Sequence, residues 1–124
     1  MIYKTAYGEY GVRLMPNQPG VAMCFGFKVY PEHRGMGYGH ALKAHQMAML
    51  ENLGVKYAIC SSKATNLRQH RILIKAGWER ESDPFIGPLT KEESQVWSCN
   101  IKQPVSIPAI VFFPAGSLGE EVPA

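Results

Sequence analysis

From Val29 to Leu42 the chain reads Val-Tyr-Pro-Glu-His-Arg-Gly-Met-Gly-Tyr-Gly-His-Ala-Leu. A strand-like run stops at Pro31, a basic residue follows, and glycines at 35, 37 and 39 open a stretch of helix formers. The chemistry this offers is anion binding. Glycines reach backbone angles that other residues avoid and leave no Cβ in the path of a ligand. The first amides of a helix have no partner within it and sit at the positive end of its dipole. Arg34 can add a forked, charge-assisted contact. Two phosphate loops of this general kind do not fit. A Walker A loop requires Gly-Lys-Ser/Thr where this chain has Gly39-His40-Ala41, and a dinucleotide fingerprint from Gly37 requires glycine at Leu42 and an acid near Cys60-Ser61. A purely structural glycine turn would show the same spacing, so the turn alone does not decide.

The elements that must position this turn follow from pattern. Ile2 to Ala6 and Val12 to Met15 read as short antiparallel strands, with Gly8 and Gly11 as punctuation between them. Pro16-Asn17-Gln18-Pro19-Gly20 is a turn. Val21 to Tyr30 is an almost unbroken apolar and aromatic run, as expected of a central strand covered on both faces. A helix is predicted from His40 to Leu53, with Leu42, His45, Met49 and Leu53 as its apolar stripe and Gly54 as its stop. Val55 to Cys60 reads as a buried strand. Asn66 to Ala76 reads as a second helix with Leu67, Ile72, Leu73 and Ala76 apolar, and Gln95 to Ile101 alternates as a strand does. The order implies a mixed α/β domain with a parallel crossover in its middle. Residues 1–103 form the domain. Residues 104–124 form an apolar, proline-broken extension around 107–113 and a tail that reads as disordered from Gly116.

Composition narrows the field. A chain of 124 residues builds one core. Its net charge of +3 is too small to indicate nucleic-acid binding. Cys24, Cys60 and Cys99 are an odd set without close pairs, which fits a reducing compartment. His33, His40, His45 and His70 lack metal-site spacing, so no metal is expected. No apolar run approaches the ~20 residues of a membrane span, and the start Met-Ile-Tyr-Lys is no signal peptide. The sequence reads as cytoplasmic.

Arg34-Gly-Met-Gly37-Tyr-Gly39, with Val29-x-Pro31 before it, resembles the pyrophosphate loop Arg/Gln-x-x-Gly-x-Gly/Ala of the GNAT superfamily of N-acetyltransferases. Downstream, that superfamily carries Asn, then Tyr seven residues on, then Gly-Phe; here Asn66 is followed by Leu73, Gly77 and Trp78. Both motifs stand in the right order and cover the chain from Val29 to Trp78. The resemblance implies a strongly twisted mixed sheet with two main helices and a V-shaped splay between the central strands. It implies transfer of an acetyl group from acetyl-CoA to an amine by direct attack in a ternary complex. Backbone groups of Phe27 and Val29 would pair with the pantetheine arm. Arg34, Gly35, Met36, Gly37, Tyr38, Gly39 and His40 would hold the pyrophosphate. Asn66 would meet pantetheine or steady the second helix, and Lys75 stands where the family often has lysine.

The chain departs from the family in three places. Leu73 replaces the usual general-acid Tyr, Ser61 replaces a carboxylate on the strand before Asn66, and few residues precede the central strand. The last resembles the short GNAT-like proteins of phages, which lack the usual N-terminal helices. The acceptor side would then be open, or closed by residues 104–113 or by a second subunit in a homodimer. A base is needed because a free ammonium titrates near ~10.4. Candidates are His70, His33, Glu32, or water relayed through Ser61. With Asn66, these give Asn66, Ser61 and His70 as the catalytic set. The acceptor would be a protein lysine, an N-terminus or a small amine. The alternatives are an inactive CoA-binding module that works through protein contacts, and a nucleic-acid or adaptor module using Arg68, Arg71 and Lys75. Lys75 and its neighbours would otherwise be solvated or reach the 3′-phosphate of CoA.

Overall fold

Two tight reversals begin the chain in the computed structural model, which describes residues 1–88, 91–102 and, for the backbone alone, 120–122. Strand β1 (Ile2–Lys4) turns into β2 (Gly8–Leu14) through Thr5, whose Oγ1 accepts from the amides of Tyr7 and Gly8 at 3.3 and 3.0 Å. No helix lies between these strands. The Pro16–Gly20 turn then leads into β3 (Val21–Val29). A 3₁₀ turn (Pro31–His33) follows, then α1 (Tyr38–Asn52), β4 (Tyr57–Lys63) and α2 (Leu67–Lys75). Strands β5 (Glu79–Arg80), β6 (Phe85–Ile86), β7 (Glu93–Asn100) and β8 (Glu120–Val122) complete the described elements.

The sheet runs β5-β7-β4-β3-β2-β1-β8, with β6 also pairing β7. Among the described strands only β3 and β4 pair in parallel, and α1 is the crossover that joins them. This is the expected mixed α/β sheet with two main helices. Its core joins Tyr10, Val12, Ala22, Cys24, Ala58, Trp97 and Cys99 of the sheet to Leu42, Met49 and Leu50 of α1 and Leu73 of α2. Register partners share a face of a sheet. Val12↔Cys24, Ala22↔Ala58 and Ala58↔Cys99 therefore set one buried face, and both helices contribute to its core.

The structure corrects several expectations. Strand β3 is covered on one face only: Met23 and Phe25, on the other, remain 39% and 37% exposed. Gly8 and Gly11 do not punctuate two strands but lie inside β2. Gly11 is required there because a Cβ would collide with the ring of Phe25 on the next strand. The buried face of α1 is Leu42, Lys43, Gln46, Met49 and Leu50, so two polar residues occupy core positions and His45 sits at their margin. Leu67 is exposed, and α2 buries His70, Ile72 and Leu73. The backbone of Glu120–Val122 pairs antiparallel with β1, where the sequence reads as a disordered tail. The rest of the 104–119 stretch lies outside the described residues. No described helix is long and apolar enough to cross a membrane.

Candidate functional site

Strands β3 and β4 pair only through Val21↔Tyr57, Ala22↔Ala58 and Met23↔Ile59, although both run on for several residues. Beyond Met23 they part, which is the expected splay. A β-bulge contributes on the other side of β3. Glu9 pairs with Lys28 and Gly11 with Phe25, so Tyr10 faces two residues, and Gly26 takes φ +61° to make this possible. The parting leaves the β4-facing edge of β3 without ladder partners from Cys24 onward, the edge where Phe27 and Val29 stand.

At the end of β3 the glycine turn begins. Gly37 caps α1 at φ +81°, a conformation that costs any other L residue on the order of 1 kcal/mol or more. No side chain caps the helix, so its first amides remain available. Arg34 donates from Nε to the Val29 carbonyl at 3.0 Å, which fixes the guanidinium beside the turn. Tyr38 stacks on Tyr7 at 4.7 Å and takes the edge of His33, anchoring the turn to the sheet.

A cavity of about 510 Å³ opens over this turn. Of the residues expected to bind the cofactor, all but Met36 and Lys75 line it. Met36 points to solvent, and Lys75 lines a neighbouring groove of about 480 Å³ between α1 and α2, which His40 also lines. Lys28, Arg34, Arg68 and Arg71 all line the first cavity, and among the described residues no aspartate or glutamate does. Four cations, of which Arg34 is held by its bond to Val29, give the hollow a positive lining suited to an anion. Sequence reading left Arg68 and Arg71 between solvent and phosphate, because their direction depends on how α2 docks.

A second cavity, of about 270 Å³, lies in the splay. It shares Phe27, Asn66 and Gln69 with the first, so the two are contiguous. Ser61 lines it, as do Cys24, Cys60, Ser62, Lys63, Lys43 and Gln46. Asn66 has both expected roles open to it: it touches both cavities, and its Oδ1 accepts from the Gln69 amide at 3.2 Å as the N-cap of α2. His70 lines neither cavity. It is 9% exposed, its Nε2 donates to the Lys63 carbonyl at 3.0 Å, and its ring lies 5.1 Å from that of Trp97. Leu73 is fully buried in the core and lines none of these cavities. His33 lines the first cavity and Glu32 does not.

The cysteines are free thiols. Burial pushes Cys24 up to about 12 and Cys60 up to about 11, so neither is a thiolate at neutral pH. Sequence reading missed Lys43 and Gln46 altogether. Lys43 Nζ donates to Gln46 Oε1 at 2.7 Å and stands 4.4 Å from the Phe27 ring centroid and 4.8 Å from that of Trp78.

No family model matches the sequence, and no relative is found among curated proteins. Solved structures do match in shape. One is the ribosomal-protein-S18-alanine N-acetyltransferase of Escherichia coli, with TM-score 0.64 and 17% identity over 86% of this chain and 67% of that one. Another is a Bacillus subtilis acetyltransferase in complex with CoA, with TM-score 0.64 and 11% identity over 77% and 70%. A third, the Salmonella typhimurium yncA protein with acetyl-CoA, gives TM-score 0.66 and 14% identity over 84% and 63%. The chain spans about two thirds of the length of each. The splayed parallel pair, the glycine turn at the start of α1 and these likenesses lead to one conclusion: the chain has the fold of the GNAT N-acetyltransferases.

Proposed function

We propose that the protein is an acyl-CoA-dependent N-acetyltransferase that moves an acetyl group from acetyl-CoA to an amine by direct attack in a ternary complex. The observation that carries this is the cation-lined, carboxylate-free hollow over the glycine turn, contiguous with the splay. A pyrophosphate carrying a long neutral arm matches both halves: charge over the turn, amide and thioester in the gap. Amides from Gly35 to His40 hold the phosphates, with Lys28, Arg34, Arg68 and Arg71 around them. Main-chain groups at Phe27 and Val29 pair with the arm, and one of their amides polarises the thioester carbonyl as charge develops on its oxygen. Asn66 orients the arm and caps α2. Ser61 relays a proton through water, and His70 positions the end of β4 through Lys63. The acceptor is a protein lysine, an N-terminus or a small amine, and the free thiols suit a cytoplasmic setting.

One observation favours a second reading, a CoA-binding module without turnover. Among the described residues no aspartate, glutamate, histidine or tyrosine lines the splay cavity, so among them the usual acid and base have no replacement of their own kind. Two measurements separate the readings. Calorimetry with acetyl-CoA should show binding that Gly37→Glu abolishes by placing a carboxylate among the phosphates; undiminished affinity in that variant sinks both. Mass-spectrometric mapping of acetylated lysines and N-termini after incubation with acetyl-CoA and cell extract then tests turnover.

A further inference from the structure

Lys43 is the side chain that the proposed function leaves unexplained. It is 2% exposed, on the inner face of α1, and lines both the splay cavity and the groove between the helices. Among the described residues no carboxylate pairs with it: its hydrogen bond goes to the neutral Gln46, and Phe27 and Trp78 flank it. A buried lysine retained without a counter-ion is expensive, and cores rarely keep one.

We propose that Lys43 is an internal acetyl acceptor, its Nζ at the floor of the splay cavity taking the acetyl group from acetyl-CoA bound there. This rests on the acetyl-CoA reading above. In the step, the neutral amine of Lys43 attacks the thioester carbonyl carbon. A C–N bond forms, the C–S bond breaks, and the amine proton ends on the departing sulfur, giving Nε-acetyl-lysine and free CoA thiol.

The other groups lining the splay are excluded one by one. Lys63 is turned to Glu92, its Nζ 3.1 Å from that carboxylate, and both side chains are exposed. Cys24 and Cys60 are kept as thiols by burial. Ser61 and Ser62 offer hydroxyls, weaker nucleophiles than a free amine, and no described histidine or carboxylate lines the cavity to activate them. Burial, by contrast, lowers the Lys43 pKa below that of an ordinary lysine and so raises the fraction of reactive free amine, tenfold for each unit. The titratable groups that face it are the thiols of Cys24, Cys60 and Cys99, from β3, β4 and β7, none of which is an acid strong enough to hold it charged. Acetylation also relieves the site: the product amide is neutral, and its N–H can still donate to Gln46 Oε1.

The test uses the whole chain with acetyl-CoA, followed by peptide mapping, with calorimetric binding measured on the same preparation. The expected result is one added acetyl group, with Lys43, which lines the splay cavity, as the most occupied lysine. A second readout needs no turnover. Reductive methylation with formaldehyde should modify Lys43 in the free protein, and CoA without an acetyl group should protect it. Lys43→Met keeps the apolar stem and should leave the surface-lysine pattern unchanged. If acetyl-CoA binds but Lys43 stays unmodified, or CoA fails to protect it from methylation, the inference is overturned while the acetyl-CoA reading stands. If acetyl-CoA does not bind, both fall.

Discussion

Gly39 is where the anion turn meets the second helix, and the structure gives its replacement a definite consequence. A Cβ at position 39 would stand 2.6 Å from Ile72 Cδ1, far inside van der Waals contact, while the next atom, Ile72 Cγ1, is at 3.6 Å and acceptable. One methyl group therefore carries the whole conflict. Overpacking of this kind costs about 1–3 kcal/mol. Alanine in place of glycine recovers at most ~1 kcal/mol of helix propensity, less in a first turn. Gly39→Ala should therefore destabilise by about 0–3 kcal/mol, least where the terminal methyl of Ile72 turns aside, and because both residues line the cavity, it should weaken acetyl-CoA binding too. Ile72→Val removes Cδ1 at its own cost of about 0.5–1.5 kcal/mol. In that background Gly39→Ala should be neutral or stabilising, which gives a coupling of about 1–3 kcal/mol in the double-mutant cycle. Urea unfolding of the four proteins measures it directly. Effects that add to within ~0.5 kcal/mol would show that the helices do not meet through this methyl group.

Three further outcomes follow from particular contacts. His45 is held neutral: burial lowers its pKa, and the Tyr10 hydroxyl lies 2.7 Å from its Nδ1. Its contribution is full above the unfolded value near ~6.5 and fades as pH falls from there toward the lower folded value, so urea midpoints should drop between neutral pH and pH ~5, and His45→Gln should flatten the slope. Asn66→Ala removes the cap on the Gln69 amide and should cost about 0.5–2 kcal/mol in thermal unfolding, with weaker acetyl-CoA binding beside it. Leu73→Tyr, the substitution that would restore the family's acid, should destabilise by about 1–3 kcal/mol and bring no gain in turnover, because the side chain it replaces is enclosed in the core; faster acetyl transfer would contradict that placement.

The glycine turn and the β3-α1-β4-α2 order were legible in the sequence because each is written locally, whereas the splay was expected only from the family resemblance. Glycines, Pro31 and the step from strand-like to helix-like residues need only near neighbours to be understood. The inner face of α1 was not legible for the opposite reason. An apolar stripe search selects Leu42, His45, Met49 and Leu53, yet the sheet receives Leu42, Lys43, Gln46, Met49 and Leu50. Hydropathy assigns Lys43 and Gln46 to water, and only the packed structure shows that they satisfy each other inside. Gly11 misled in a related way. It looked like a break because its reason to be glycine, the Phe25 ring, lies on another strand. Strands β5 and β6 have two residues each, too few for any alternation, and β8 is defined by pairing with β1 at the far edge of the sheet. Arg68 and Arg71 could be identified as basic but not aimed.

Those arginines bear on how the site and the fold depend on each other. The chain carries 13 basic and 10 acidic residues, a small excess, yet Lys28, Arg34, Arg68 and Arg71 meet around one hollow without an acid among them. They come from the end of β3, the turn and α2, and all four are exposed, so any repulsion among them is screened by solvent. A polyphosphate between them reverses the sign of that term. Under the proposed acetyl-CoA reading a bound ligand would stabilise the domain by mass action, by about 2.7 kcal/mol at a ligand concentration of ~100 Kd. Asn66 ties this to the splay, since the residue that caps α2 and so aims Arg68 and Arg71 also lines the gap where the acyl arm would lie. Under the proposed function, phosphate grip and arm placement would thus depend on the same helix start, and a change at either end of that link would be felt at the other.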